Sequence, residues 1–510
     1  MFVVTPSEME EIDRLTIEEA GLSSLVLMEN ASRSCLQYVP PGPVTVLVGP
    51  GNNGGDGLVL ARALSEEGRQ VDILLLSPKL STDAQTQLEL AKKWDIPCWD
   101  YYPEGQNPPP NAGVFHKPVI IDALFGTGLS RDVEGRYAEL INLVNKLPAH
   151  KLSIDIPSGI NGKNGQILGT AVRAQQTVTF GCIKRGHLLS PGRDCSGLLH
   201  VTQPGFLPSA IASKGDVQLF TTECARDHLP ITWNSMHKGH NGRLLLVTGS
   251  KAYPGAGILT VLGALSAGAG LVSQSVDPEQ VGPLLQHAPE AMPIPRSELP
   301  DLSKFDALVI GSGLGSEAQT LGKQLLSRCE LPCVIDADCL SLVRDLPQDT
   351  LQRTVITPHP GELARLLGKT SDELEHDRIQ TALEAAQELG CTVCYKGSPT
   401  ITASPDRSAP RAYVNTTGNP VLAQGGTGDL LAGIIGAYLA GHNHLGPFQA
   451  ATCGAYIHGL AADLAAEMTL KMADASGPCS VKGLTSHRIA ELVPIAYSKA
   501  VGNRTSFPVF

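Results

Sequence analysis

Short apolar runs alternate with helix-length stretches along this chain, and they do so in two series. The first series is VTVLVG (44–49), VDILLL (71–76), PVIIDAL (118–124), KLSIDI (151–156) and TVTFG (177–181). Runs this short, apolar throughout and spaced by helical patterns, predict strands of a parallel sheet covered on both faces. The second series is GRLLLVTGS (242–250), GLVSQSV (270–276), FDALVIGSG (305–313), PCVIDADCL (332–340), TVITPHPGE (354–362), CTVCYKG (391–397), PTITAS (399–404) and RAYVN (411–415). Between the two, QPGFLPSAIASKGD and CARDHLPITWNSMHKGHNG hold little periodicity, so a linker is expected near 210–240. A chain of 510 residues is too long for one ordinary core and suits two α/β units. No internal repeat relates them.

The opening SEMEEIDRLTIEEAGLSSLVLMENASRSC has helical spacing, with Ser7 and Glu10 placed as a capping box. YYPEGQNPPPNAG (101–113) reads as a Pro-rich surface loop. Aromatic residues make up only 5% of the chain, so packing must rest on Leu, Val, Ile and Ala. The net charge of −11 argues against non-specific binding to nucleic acid, which needs clustered cations. The N-terminus has neither the basic start nor the apolar core of a secretory signal, and no run of about 18 apolar residues occurs. A cytoplasmic protein with no membrane contact is expected. The 12 cysteines are scattered singly and read as buried thiols, the pair Cys391 and Cys394 lying in an expected strand.

PGNNGGDGLVLAR (50–62) reads as strand, Gly-rich turn and helix. A helix N-terminus offers unpaired N–H groups and the positive end of the dipole, a seat for phosphate. The spacing meets neither GxGxxG nor the P-loop pattern. A tight strand–helix turn would also use glycine. Asn52, Asn53 and Asp56 add polar side chains where ligands of a doubly wound sheet bind. Two further strand ends are polar: IDALFGTGLSRD (121–132) carries Asp122 and a Gly-rich loop, and SIDIPSGI (153–160) carries Asp155 and Ser158.

With LMENAS upstream, these three motifs resemble the YjeF N-terminal family, the NAD(P)H-hydrate epimerases, over about residues 1–220. The resemblance implies a Rossmann-like three-layer domain that interconverts the R and S epimers of a reduced nicotinamide dinucleotide hydrated at C6. It implies substrate contact by Asn52, Asn53, Gly54, Gly55 and Asp56, and by Gly126, Thr127, Gly128, Leu129, Ser130, Arg131 and Asp132. It also implies a potassium ion (K+) held by Asn53, Asp122 and Ser158, whose hard oxygen donors suit such a cation. Asp155 is then the substrate-contacting acid and the proton-transfer residue. An aspartate before proline can also simply cap a turn. Asn161 stands where the family often has Asp, and the proline commonly seen before the leucine of LMEN is missing.

QGGTGDLLAGIIGAYLAG (424–441) is a Gly-rich turn opening an apolar helix. The first N–H groups, from Gly426, Thr427 and Gly428, would form an anion hole with Asp429 at its mouth. An acid placed there can take a proton from a hydroxyl as it attacks a phosphoryl group, while the hole stabilises the transferring charge. An acid complementing the helix dipole is the plainer alternative. GGTGD before a small-residue helix resembles the ribokinase-like superfamily. HKGHNGRLLLVTGS, YPGAGIL, SAGAGLV, GSGLG, VIDADCL, TPHPGE, YKGSPT and NTTGNPVLAQGGTGD narrow the resemblance to the ADP-dependent NAD(P)H-hydrate dehydratases over about 225–500.

That resemblance implies a ribokinase-like α/β domain over 225–510 that phosphorylates the extra hydroxyl of the S hydrate with ADP. Phosphate then leaves, giving NAD(P)H, AMP and phosphate, with magnesium (Mg2+) as the metal. Lys396, Gly397, Ser398, Pro399, Thr400 and Asn419 would address the nucleotide, with Gly426, Thr427 and Gly428 at its phosphates. Ala256, Gly313, His359 and Asp429 would line the hydrate site. His359 also suits a helix cap, and Asp336 and Asp338 are left without a role. Ser312 and Cys339 depart from the family's usual residues. A homo-oligomer is expected. The GGTGD site alone also fits a vitamin-precursor or sugar kinase fused to a non-catalytic nucleotide-binding domain.

Overall fold

In the computed structural model, all five expected strands of the first series form, and alternate residues along them face two different cores. Val44, Val46 and Val48 pack into one core, and Leu47 packs into the other with Leu74 and Ile120. A sheet buried on both faces this way makes three layers. The sheet has seven strands in the order Cys98–Asp100, Val71–Leu75, Val44–Val48, Val119–Ala123, His150–Ile154, Gln176–Phe180 and Leu198–Thr202, all parallel. Val44–Val48 is its first strand in the chain, and later strands are added on either side of it. The switch point, where ligands of such sheets bind, therefore lies beyond Val48 and Ala123.

The second sheet has ten strands in the order Val217–Phe220, Ala412–Asn415, Ile401–Ala403, Thr392–Tyr395, Thr354–Ile356, Cys333–Ile335, Ala307–Ile310, Arg243–Val247, Leu271–Val276 and Met292–Pro295. From Met292–Pro295 to Thr392–Tyr395 the pairing is parallel; Ile401–Ala403 and Ala412–Asn415 join antiparallel. Arg243–Val247 and Ala307–Ile310 flank the second switch point. The helix Thr427–Ala440 covers one face, burying Leu430, Leu431, Ile434, Ile435 and Tyr438.

The chain forms two units, Met1–Val217 and Gln218–Phe510. The structure describes residues 1–101, 115–298, 300–408, 410–442, 445–472 and 481–502; the Pro-rich loop expected at 101–113 lies almost wholly outside them. Among the described residues no helix is long and apolar enough to cross a membrane. Nine of the eleven described cysteines are buried, and all eleven are free. Burial pushes Cys391 and Cys394 up to about 12 and about 11.

Two expectations need correction. The stretch 210–240 is not a linker throughout: Val217–Phe220 is an edge strand and Thr222–His228 a helix, with Phe220 edge-on to Tyr413 at 5.1 Å. Four residues are too few to show a strand's alternation in sequence. The first helix is capped not by Ser7 and Glu10 but by Thr5 and Glu8, because Pro6, which has no N–H to satisfy, takes the first helical position. The opening helical pattern is two helices, Pro6–Glu18 and Ser24–Ser34, parted at Gly21 with φ 71°.

Candidate functional site

Beyond the switch point of the first sheet lies a cavity of about 740 Å³, in the size range that encloses a ligand. Asn52, Asn53 and Asp56 of the helix Asn52–Glu66 line it, as do Gly126, Thr127, Gly128, Leu129, Ser130 and Arg131, and Asp155. Three sequence motifs thus meet at one wall. Gly54, Gly55 and Asp132 do not line it. A Cβ on Gly54 would lie 2.2 Å from the Gly49 carbonyl oxygen, and one on Gly55 would lie 2.7 Å from Met28. These two glycines let the helix approach the strand end and its neighbour; their small size serves packing. Asp132 is exposed.

Asp155 follows the strand His150–Ile154 with φ 65°, a costly conformation for a residue with a Cβ. Its backbone N–H donates to Val178 O at 2.7 Å, and His187 Nε2 donates to its carbonyl at 2.9 Å. His187 Nδ1 accepts from Lys184 N, so the ring is the neutral tautomer with its proton on Nε2. Burial and the Lys184 charge push His187 down to about 4, which keeps it neutral. The Asp155 carboxylate pairs with Lys184 Nζ at 2.7 Å and accepts from Thr127 N and Thr179 Oγ1. Burial alone would raise its pKa, but the buried Lys184 ammonium outweighs burial and holds it below the usual carboxylate value. Asp56 behaves oppositely: burial pushes it well up, against a hydrogen bond from Ser32 Oγ.

Asp122 and Ser158 lie together behind this wall. Both are fully buried, with Ser158 Oγ donating to Asp122 at 2.6 Å and accepting from Phe125 N. Asp122 also accepts from Ser153 Oγ, Ser158 N and Leu124 N. Burial raises its pKa and these bonds oppose that. The Asn53 amide is buried with neither its oxygen nor its nitrogen partnered.

In the second unit, Gly426 caps the helix Thr427–Ala440 in the left-handed region, φ 90°, where glycine is favoured. The Thr427 hydroxyl donates to Leu422 O and Gln424 O, so it closes the turn. That leaves its N–H, with that of Gly428, at the open helix end. Lys396 reaches this end from the strand Thr392–Tyr395: a Cβ on Gly428 would lie 3.3 Å from its Nζ. Lys396 pairs with Asp336 at 3.0 Å and Glu362 at 3.8 Å. Buried Asp336 also accepts from Ser312 Oγ and Thr357 Oγ1, which gives Ser312 a purpose in place of the family's usual residue. Asp429 sits in the first turn of the helix. Burial pushes it up to about 7, with Asp336, Asp338 and Glu362 adding to the rise and Lys396 opposing it.

The other predicted residues fall around this centre. A Cβ on Gly313 would lie 2.5 Å from Ala256 Cβ, so the two pack together. His359 caps the helix Pro360–Leu367, its Nδ1 accepting from Gly361 N and Glu362 N, while its side chain stays half exposed. The loop Lys396–Thr400 is held by Arg378, which donates to Lys396 O and Pro399 O and lies over the Tyr395 ring. Thr400 Oγ1 donates back to Gly397 O. Asn419 spends its side chain on Val421 N and Asp463.

The comparisons accord with both halves. A family model described as NAD(P)H-hydrate dehydratase matches residues 244–477, and one described as YjeF-related protein N-terminus matches 24–186. The bifunctional NAD(P)H-hydrate repair enzyme Nnr of Moorella thermoacetica is 37% identical over 499 residues, covering 91% of this chain and 93% of that one. The enzyme of the same name from Escherichia coli is 35% identical over 467 residues, covering 89% and 88%. The chain belongs to the bifunctional NAD(P)H-hydrate repair enzymes. An ADP/ATP-dependent NAD(P)H-hydrate dehydratase of Bacillus subtilis, crystallised with ATP and Mg2+, is 28% identical with a TM-score of 0.47 and covers 56% of this chain and 99% of that one.

Within this repair enzyme, sequence reasoning missed Lys184 and Asp13 at the first site and left Asp336 without a role at the second. Lys184 lies in GCIKRGH, where nothing marks it as facing Asp155. Only the parallel pairing of Ile183–Lys184 with Val3–Val4 brings it there.

Proposed function

We propose that the N-terminal unit epimerises the R and S hydrates of NADH and NADPH, and that the C-terminal unit dehydrates the S form with ADP. Asp429, poised near neutral pH at an open helix N-terminus beside Lys396, is the observation that carries this reading. Asp429 takes the proton of the C6 hydroxyl as its oxygen attacks the β-phosphorus of ADP and AMP departs. The N–H groups of Thr427 and Gly428 and the Lys396 ammonium stabilise the transferring phosphoryl charge. Hydroxide is a poor leaving group and a phosphate ester a good one, so the ring nitrogen lone pair then expels phosphate and NAD(P)H forms. The loop Lys396–Thr400 and the backbone at Asn419 and Gly426 hold the nucleotide. Ala256, Gly313 and the exposed edge of His359 hold the hydrate.

Asp336, Asp338 and Glu362 act on Asp429 with Lys396 as the opposing cation, a surplus of negative charge that suits magnesium arriving on the nucleotide. Magnesium would supply charge neutralisation of the phosphates there. In the N-terminal unit, Asn53 with its unpartnered amide, buried Asp122 and Ser158 offer a potassium ion hard oxygen donors. Such an ion would supply positive charge beside the buried Asp122 carboxyl. Asn52, Asn53, Asp56 and the loop Gly126–Arg131 bind the substrate, and Asp155 moves the proton. A homo-oligomer in the cytoplasm belongs to the same reading, and light scattering tests the assembly.

The decisive experiment gives the full chain a mixture of both epimers with ADP or ATP and follows the absorbance of restored NAD(P)H. Complete recovery of both epimers is expected with ADP. A plateau at the S share that the non-enzymatic rate then extends refutes epimerisation. No recovery refutes the dehydratase.

A further inference from the structure

The cavity of the N-terminal unit contains a carboxyl to which the reading above gives no task. Asp13, on the helix Pro6–Glu18, lines the same cavity as Asp155, Lys184 and Asp56. It is half-buried, and among the described residues no hydrogen bond or ion pair ties it down. The charged and titratable groups acting on it are Lys184 from the short strand Ile183–Lys184, Asp155, Asp56 from the helix Asn52–Glu66, and Glu10 on its own helix. A carboxyl left free at a ligand cavity has its proton available to whatever enters.

We propose that Asp13 is the proton partner of Asp155: it protonates the C6 hydroxyl as the C6–O bond breaks, and Asp155 receives the proton of the water that re-adds. This rests on the epimerase reading of the N-terminal unit. In the first step Asp13 gives up its proton, the C6–O electron pair leaves with oxygen as water, and the N1 lone pair forms an N1=C6 double bond. In the second, water attacks the opposite face of C6, the π pair returns to N1, and Asp155 takes the released proton. Solvent carries that proton back to Asp13, so the net change is inversion at C6. The other epimer runs the same steps in reverse.

The environments of the two groups divide the labour. Burial pushes Asp13 up to about 6, with Lys184 opposing, whereas Lys184 holds Asp155 ionised. A pair of carboxyls driven apart in this way is the pattern of an acid and a base. Asp56 is the weaker candidate. Its carboxylate already accepts from Ser32 Oγ at 3.0 Å, whereas no hydrogen bond among the described residues holds that of Asp13.

The test uses the full chain without ADP, the R epimer and water enriched in ¹⁸O, with both epimers followed by chromatography and mass spectrometry. One ¹⁸O is expected at C6 per inversion, and wild-type kcat/KM should fall as pH rises above about 6. Asp13→Asn should slow inversion by about 10²-fold or more and flatten that limb. Asp13→Glu should recover most of the rate, and both variants should dehydrate the S epimer with ADP at the wild-type rate, which shows that the chain is folded. Inversion without ¹⁸O uptake, no falling limb, or Asp13→Asn inverting within threefold of wild type overturns the proposal while leaving the epimerase reading intact. A wild-type chain that inverts no faster than buffer overturns both.

Discussion

Asp155 follows a strand of the first sheet and Asp429 lies in the first turn of a helix that covers the second, and their surroundings push them in opposite directions. Asp155 faces a buried ammonium at 2.7 Å and two neutral donors, and it stays ionised despite burial. Asp429 shares the nearby Lys396 ammonium with Asp336 and Glu362 and is pushed up to about 7. The helix dipole favours an ionised Asp429, yet burial and like charges prevail over it. The same side chain is held ionised in one unit and set near neutrality in the other. The difference follows from where the lysine points, not from the aspartate or its motif.

The largest effect should come from separating the two. If Asp429 is the general base, Asp429→Ala should lower ADP-dependent repair of the S epimer by about 10²–10⁴-fold. Interconversion of epimers without ADP should not change. Asp155→Asn should do the reverse, slowing inversion by about 10²-fold while S-epimer repair stands. The assay is one chain with pure epimers, with and without ADP. Equal damage to both activities by either variant would break the division between the units.

Much of this was legible in sequence, and the reasons for the gaps are physical. Strands that are apolar on both faces announce themselves, so thirteen expected runs became strands. Met292–Pro295, Leu198–Thr202 and Cys98–Asp100 did not, because these edge strands are only partly buried; Val217–Phe220 is largely buried but has too few residues to show a pattern. The Gly-rich turns lie where the sequence put them, one at the cavity beyond the first sheet and one at the start of the helix Thr427–Ala440. Glycine itself was ambiguous: in NNGGDG a Cβ on Gly54 would meet the Gly49 backbone and one on Gly55 would meet Met28 of a neighbouring helix, so both positions are closely packed. Partners that come from distant parts of the chain were invisible. Lys184 meets Asp155 across 29 positions, and Lys396 meets Asp336 across 60. Sequence shows a charge but not which charge it will face.

The difference in pKa gives the next prediction. If Asp429 must be ionised in the free enzyme, kcat/KM for the S epimer with ADP should rise with pH and level off above about 7. Below that it should fall tenfold per pH unit, as one protonation removes the base. Asp155, held below the usual carboxylate range, should impose no such loss on inversion in the same pH range. Initial rates for each epimer across one buffer series would show the two slopes. Matching acid limbs in both reactions would mean that the two carboxylates are not set apart.

The smallest expected effects separate a glycine that packs from one that faces the ligand. A methyl on Gly54 would meet the Gly49 carbonyl oxygen at 2.2 Å, and backbone cannot easily yield. Gly54→Ala should therefore cost about 1–3 kcal/mol and lower Tm. On Gly428 the methyl would meet only the Lys396 ammonium at 3.3 Å, the far end of a flexible chain that can swing aside. Gly428→Ala should leave Tm unchanged and raise the KM for ADP a few-fold, because the displaced ammonium no longer sits over the helix end. Calorimetry of both variants, with ADP kinetics for the second, tests the contrast. A Tm loss in Gly428→Ala as large as in Gly54→Ala would mean that the second helix end is packed shut and does not stand open to a phosphate.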